Sequence, residues 1–162
     1  MSTAPSTHLD ESLKLQADRI VALWEVHLMG VSTIIRFRDG PSVTWQGNSY
    51  ESMGCTISGE GESADPENYR PVLTVINPEN IFGSFASAGY FDLATVIRRE
   101  VLQGDLIANA NIFQQRIWII GRPTSVKNPV MRFELRSPMD IPAFTVPNRF
   151  YMPPEFPFVR IT

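Results

Sequence analysis

The sequence predicts a mainly β protein, an antiparallel β-barrel or sandwich with one or two short helices and an extended, proline-rich C-terminal arm. Two observations carry this prediction. Roughly seven or eight short runs of strand-forming residues are separated by glycine, proline and asparagine turn signals, as in barrels and sandwiches. The segment Ser137–Phe158 is apolar and aromatic, yet it holds six of the chain's 13 prolines, and proline is excluded from the interior of helices and sheets.

The strand-like runs follow one another along the chain with turns between them. They cover residues 20–29, 31–40, 43–45, 49–53, 70–78, 94–101, 111–121 and 130–138. In the second run Ile35 and Phe37 alternate with Arg36 and Arg38, so the first two runs are predicted to form an antiparallel hairpin with one side facing solvent. The next two runs flank Gln46-Gly47-Asn48, which predicts a tight hairpin.

Two segments have a helical pattern. In residues 7–20 the apolar residues Leu9, Leu13 and Ala17 recur every four positions, which predicts a helix with one apolar stripe. Either Thr7 or Asp10 is expected to cap its N-terminus. This helix is short, so it needs a surface to dock on. Residues 78–89 form the second helix, with Gly89 as its terminator.

The acidic residues that follow the fourth run are concentrated between residues 60 and 67. They lack the ligand order and central glycine of a calcium loop, so a solvated loop is favoured over a cation site. The organisation predicted for the whole chain is an N-terminal segment with a short helix (1–19), a β domain (20–137) and the arm (138–162).

Composition excludes several classes of function. The net charge is −3 and the pI is about 5.4, which argues against nucleic acid as a specific partner. Cys55 is the single cysteine, so neither an intramolecular disulfide nor a cysteine metal cluster can form, and a buried, inert thiol is favoured. The sequence has neither a signal peptide pattern nor an apolar run of about 20 residues, which predicts a cytoplasmic chain without a membrane partner.

A search for chemistry along the chain finds no reactive constellation. His8 and His27 have no evident carboxylate or cysteine partner, so His27 is predicted to be an exposed or satisfied strand histidine. Phosphate-binding loops and nucleophile elbows are absent from the sequence. The three tryptophans lie on predicted strands and are assigned to the core: Trp24, Trp45 and Trp118. We therefore predict no catalytic, cofactor-binding or metal-binding residue, and no enzyme.

An ordered set of markers over residues 20–150 resembles the minor tail protein L family of tailed phages, tail-tip proteins of lambdoid siphophages. The markers are Trp45, Gly47, Tyr50, Gly59, Gly61, Pro71, Leu73, Val75, Asn77, Arg98, Arg99, Ser137, Pro138, Pro147, Asn148 and Arg149. Longer members continue into a cysteine-rich domain that carries an iron–sulfur cluster. Because this chain has only Cys55, the resemblance implies a form without that cluster, and a natural short form and a truncation both stay open.

The resemblance implies a place in the virion and a set of partners. It implies a tail-tip protein, assembled in the host cytoplasm, that forms part of the ring between the distal end of the tail tube and the central hub or fibre protein. The partners implied are the distal tail or tube protein, the hub or fibre protein and the tape-measure protein. A homo-trimer is expected, with a hexameric ring as the alternative. The competing class of function is a small β-barrel module that binds nucleic acid or a small ligand.

The arm is the candidate interface. Prolines favour extended chain, and about 20 extended residues reach roughly 60 Å, several times the radius of gyration of such a domain. Its large apolar side chains need cover, and aromatic residues and methionine are enriched at interfaces. We predict that the arm docks on an adjacent subunit or tail protein, and the alternative is that it wraps its own domain. The predicted interface residues are Pro147, Phe150, Tyr151, Met152, Phe156 and Phe158.

Overall fold

The computed structural model describes residues 4–14, 17–59, 70–76, 81–127 and 130–140. These residues form nine strands in one sheet, three short α-helices and one 3-10 helix (Pro138–Asp140). The strands are β1 (Ile20–His27), β2 (Ile34–Arg38), β3 (Val43–Trp45), β4 (Asn48–Ser52), β5 (Cys55–Ser58), β6 (Val72–Ile76), β7 (Thr95–Leu102), β8 (Gln114–Lys127) and β9 (Val130–Arg136). The helices are α1 (Ser6–Ser12), α2 (Ile81–Ser87) and α3 (Gln103–Ile107). The predicted mainly β class is confirmed.

The strand order is β3-β4-β2-β1-β7-β8-β9-β6-β5, and every neighbouring pair is antiparallel except β2 and β4. The sheet is not closed. Only Met53 and Gly54 separate β4 from β5, the strand at the far end of the order. The Met53 N–H donates to the Arg38 carbonyl at 2.9 Å, and the Ile76 N–H donates to the Gly54 carbonyl at 2.8 Å. Since two residues span only a few ångströms, this link curls the sheet until its two ends are close.

The main core covers the first face of the curled sheet. It contains side chains from seven strands together with Phe82 of α2. The Phe82 ring lies 6.0 Å from the ring of Phe37, 5.7 Å from that of Phe91 and 6.2 Å from that of Phe133. These are ordinary distances for aromatic pairs. Helix α2 therefore packs on the core through the buried Phe82 ring, with Phe85 and Ala86 partly buried against the same core.

A second, smaller core covers one end of the opposite face, here called the second face. It contains Val21, Leu23, Trp45, Tyr50, Val101 and Leu106. The β3–β4 hairpin and α3 supply its cover. The prediction that the β1–β2 hairpin has one side in solvent is therefore wrong, because the covered side buries Glu25 and Arg38.

The predicted turn chemistry is confirmed at two places. Gln46 and Gly47 join β3 to β4 with φ values of 50° and 76°, as a two-residue hairpin turn with both residues left-handed requires. Gly89, with φ of 76°, ends the second helix, and the Tyr90 N–H donates to the Phe85 carbonyl at 3.1 Å. That bond closes the C-terminus in the usual left-handed glycine motif.

Helix α1 differs from its prediction. It ends at Ser12, and its N-cap is Pro5 without a side-chain cap, so capping by Thr7 or Asp10 is wrong. None of its residues is buried, and Leu9 and Leu13 are 56% and 85% exposed. The acidic loop at residues 60–69 and the start of the second predicted helix lie outside the described residues. None of the helices in the described ranges has the length and apolar character needed to cross a bilayer.

Candidate functional site

The interface residues predicted from the sequence, on the arm from Pro147 to Phe158, lie outside the described residues. Their role stays a prediction, as does the three-part division of the chain. Over the described ranges, no group of three or more histidine, cysteine, aspartate or glutamate side chains is arranged to hold a metal ion. The polar features that the structure does bring together are a buried carboxylate cluster and the surface beside it.

The cluster is centred on Glu25 in the middle of β1, where the side chain points to the second face and is only 4% exposed. The Tyr50 hydroxyl of β4 donates to Glu25 Oε1 at 2.6 Å. Arg99 Nη1 of β7 lies 2.5 Å from the same oxygen, and Arg36 Nε of β2 lies 3.3 Å from it. His27 Nε2 lies 3.4 Å from the other oxygen, Oε2. One carboxylate therefore connects four strands.

Burial and bonding act on the Glu25 pKa in opposite directions. Burial raises the pKa, because a charged carboxylate loses its hydration. The hydrogen bond from Tyr50 and the hydrogen bond and charge of Arg99 together lower the pKa by more than burial raises it. The net result is a pKa lowered to about 2. The Tyr50 pKa is raised to about 12, by burial first and by the neighbouring carboxylate second. At neutral pH Glu25 is ionised, and Tyr50 keeps the proton that it donates.

A second buried charge, Arg98, lies on the first face. Its guanidinium carbon is 5.5 Å from the Trp24 ring centroid and 6.0 Å from that of Trp118, and it forms an ion pair with Glu100. An arginine between two tryptophans is stabilised by cation–π attraction as well as by its carboxylate. Arg98 and Arg99 are adjacent, so their side chains serve opposite faces of the same strand.

Three sequence predictions about single residues can be compared with the structure. The tryptophans Trp24, Trp45 and Trp118 are all buried, so their assignment to the core is confirmed. Cys55 is buried too, and burial, assisted by the charge of Asp39, raises its thiol pKa to about 12. His27 is a partly exposed strand histidine as predicted, but Glu25 beside it is a partner that sequence reasoning missed.

Beyond the second core, the second face is less covered. Cross-strand partners point to the same side of a sheet, so the register places Glu25, Ile97 and Ile117 in one row and His27, Thr95 and Ile119 in the next. Ile117 is 42% exposed, and Ile97 and Ile119 are partly exposed. We call these three isoleucines the open face. The carboxylate cluster lies at the boundary between the covered end and the open face.

A groove of about 250 Å³ borders the open face, and Ile117, Arg70, Arg136 and Ser137 are among the residues that line it. It lies where β9 stops: Arg136, the last residue of β9, pairs with Ile119. Gln114–Trp118 of β8 pair with β7, and the 3-10 helix Pro138–Asp140, which follows β9, also contacts β8.

Comparison with known protein families identifies the class of protein to which the chain belongs. A family of phage tail structural proteins matches residues 29–156, well over half of the chain. The chain belongs to the Phage minor tail protein L family. The resemblance drawn from the sequence markers is thereby confirmed. A protein of this family is a component of the virion and interacts with other tail components.

Proposed function

We propose that the chain is a structural component of the phage tail tip, part of the ring that joins the distal end of the tail tube to the central hub or fibre protein. The family match over residues 29–156 is the observation that carries the proposal. The proposed work is geometric: the chain presents surfaces at fixed angles to its neighbours, and no reaction is required of it.

The carboxylate cluster supports a role of this kind. A ring subunit has to keep its contact surfaces in a fixed relation while neighbours pull on it. Glu25 ties β1 to β2, β4 and β7 through one buried anion, and it lies beside the open face. Removing any partner leaves a buried charge less compensated, which is costly, so the cluster favours a single arrangement of these strands.

The proposed partners are a distal tail or tube protein on one side, the hub or fibre protein on the other, and the tape-measure protein along the axis. The proposed oligomer is a homo-trimer, with a hexameric ring as the alternative. We place the assembled chain at the tail tip and its assembly in the host cytoplasm. The proposed organisation keeps residues 1–19, 20–137 and 138–162 as segment, domain and arm.

The arm is proposed to bind an adjacent subunit or another tail protein. Residues 147–158 carry Phe150, Tyr151, Met152, Phe156 and Phe158, large side chains of the types that dominate binding energy at protein interfaces. Deleting residues 147–162 is expected to abolish ring formation by the purified chain, measured by size-exclusion chromatography with light scattering. Rings that form at an unchanged concentration would contradict this role.

Tail assembly provides the direct test of the proposed function. Phage particles made without this chain are expected to lack the joint between tube and fibre, and supplying the chain restores it. Electron microscopy of complemented particles, with a tag inserted after Met1, is expected to place the label at the distal end of the tail. Finding the chain absent from purified particles, or distributed along the tube, would refute the proposal.

A further inference from the structure

We propose that Arg38, with Arg19 beside it, forms an anion site that receives an acidic side chain of a neighbouring protein in the tail. The inference rests on the proposed function, because it names the chemistry of one contact between this chain and its neighbours. Arginine suits such a contact, since its planar guanidinium can donate two parallel hydrogen bonds to one carboxylate.

Arg38 is a buried charge without a partner. It is the last residue of β2, its register partner on β1 is Leu23 of the second core, and it is only 8% exposed. Its Nε is enclosed and has no hydrogen-bond partner, and no carboxylate within the described residues forms an ion pair with its guanidinium. A buried charge in this condition is costly, and proteins normally supply it with a counter-ion.

The charges around Arg38 do not neutralise it. Burial lowers the pKa of Arg38, the charge of Arg19 lowers it further, and the charge of Asp39 only partly opposes these effects. The Asp18 carboxylate is bonded to the main chain, because it accepts the N–H groups of Arg19 and Gly104 at 2.8 and 2.7 Å. Two guanidinium groups therefore lie near each other, and the repulsion between Arg38 and Arg19 exceeds the attraction between Arg38 and Asp39.

The local backbone leaves room for a ligand beside the guanidinium. Gly40 has a φ of 115°, a conformation that favours glycine, and a side chain at this position would begin 3.2 Å from Arg38 Nη2. Nη1 and Nη2 are not enclosed as Nε is, so this end of the guanidinium faces outwards. Arg19 is exposed just before β1, so an anion that reaches Arg38 from outside meets both charges.

A protein carboxylate fits this site better than the phosphates of a nucleic acid. The chain carries a net charge of −3, and a phosphate backbone is bound by several basic residues along a surface, whereas this site has two. One guanidinium matches one carboxylate, and such a pair contributes most when both groups are shielded from water. A protein of this family interacts with other tail components, so the expected ligand is an aspartate or glutamate side chain of one of them.

Stability and assembly are expected to respond to Arg38→Met in opposite directions. Methionine keeps an unbranched side chain without the charge, so the urea midpoint of the isolated chain should stay the same or rise. Loss of the charge pair with a neighbour should reduce the amount of the chain in purified phage particles, measured by immunoblot, at least about tenfold. The control is Arg36→Met, on the same side of β2: Arg36 pairs with Glu25 of its own chain, so its urea midpoint should fall.

Two results of these measurements would overturn the proposal. A fall in the urea midpoint of Arg38→Met as large as that of Arg36→Met would show that Arg38 is paired within its own chain. Normal incorporation of Arg38→Met into particles would show that no neighbouring protein needs the charge.

Nuclear magnetic resonance of the arginine Nε–H groups provides a second measurement, which involves no unfolding. The Arg38 signal is the one that Arg38→Met removes. Replacing chloride by acetate at constant ionic strength is expected to shift this signal along a saturating curve, whereas the signal of Arg36, whose Nε already faces Glu25, should shift little. An unshifted Arg38 signal would overturn the site. A shift with inorganic phosphate but not with acetate would overturn the assignment of the ligand as a carboxylate.

The outcome can be separated from that of the proposed function. A chain that is found at the tail tip but whose Arg38 signal does not respond to acetate keeps its place in the tail and loses the anion site. A chain that binds acetate as expected but is absent from particles keeps the anion site and loses the proposed position in the virion.

Discussion

Replacing Glu25 by glutamine tests whether the buried carboxylate cluster fixes the fold. The side chain keeps its shape, but Tyr50, Arg99 and Arg36 lose the anion that they surround. The pKa of Glu25 is about 2 in the folded chain, against about 4.3 for an ordinary glutamate, and each pKa unit corresponds to about 1.4 kcal/mol. Glu25→Gln is therefore expected to lower the free energy of unfolding at pH 7 by about 3 kcal/mol.

The pH dependence gives the same interaction a second signature. A carboxylate whose pKa is depressed on folding stabilises the fold above its unfolded pKa, and it loses that contribution as the pH falls towards its folded pKa. For Glu25 the window runs from about pH 4.3 down to about pH 2, and about 2 kcal/mol of its contribution is gone at pH 3. In Glu25→Gln this part of the acid destabilisation disappears, so the two proteins converge in stability at low pH.

Urea unfolding followed by tryptophan fluorescence measures both effects, since Trp24, Trp45 and Trp118 are buried. Titrations at pH 7, 4 and 3 give the free energy of unfolding for the parent chain and for Glu25→Gln. The control is Glu51→Gln, an exposed strand carboxylate on β4, which should change stability little. Equal stability of Glu25→Gln and the parent at pH 7, or an equal loss between pH 7 and pH 3, would refute the reasoning.

Three further substitutions or treatments have definite expected outcomes. Tyr50→Phe removes the hydroxyl that donates to Glu25, so it should lower the free energy of unfolding in urea at pH 7 by about 1.5–3 kcal/mol. A loss smaller than that of Glu51→Gln would contradict this prediction. Phe82→Ala leaves a cavity at a fully buried site between three aromatic rings. It should lower the free energy of unfolding by about 3–5 kcal/mol. Cys55 in the folded chain should react with a thiol reagent at pH 8 at least about a thousandfold more slowly than in denaturant, because its pKa is raised to about 12, and comparable rates would refute this.

The sequence predicted eight of the nine strands in the described residues, because their local signals agree with the tertiary structure. It missed β5: Cys55–Ser58 was assigned to the acidic loop, and this four-residue strand is fixed by its pairing with β6. β9 alternates Met131, Phe133 and Leu135 with polar residues, and those three side chains are buried as expected. β8 is longer than predicted: it continues beyond Gly121 to Lys127 through Pro123, since irregular pairing with β9 accommodates a proline that would end a regular strand. Helix α3 was not predicted, because its five residues are too few to show a helical period.

The carboxylate cluster could not have been predicted from the sequence. Glu25 and Arg36 are eleven residues apart, and their pairing follows from the predicted hairpin, but Tyr50 and Arg99 reach Glu25 only because β4 and β7 join the same sheet. Alternation in β1 assigns Glu25 to a solvent side, and the β3–β4 hairpin then covers that side. The sequence does indicate that Glu25 needs a partner, because a glutamate within the apolar run of β1 is costly to bury unless it is paired. It does not indicate which residues pair with it.

The position of this cluster connects the stability of the domain to its surface. In one register row Glu25 is followed by Ile97 and Ile117, so the carboxylate that ties four strands together is two strands away from the exposed isoleucine. A chain docked on the open face would exclude water beside His27 and Glu25, and lower local polarity strengthens the attraction between Glu25 and Arg99. Docking on the open face and the carboxylate cluster would then stabilise each other. Occupation of the open face should slow amide hydrogen exchange in β1 and β7 as well as in β8. Protection confined to β8 would show that the cluster and the open face are independent.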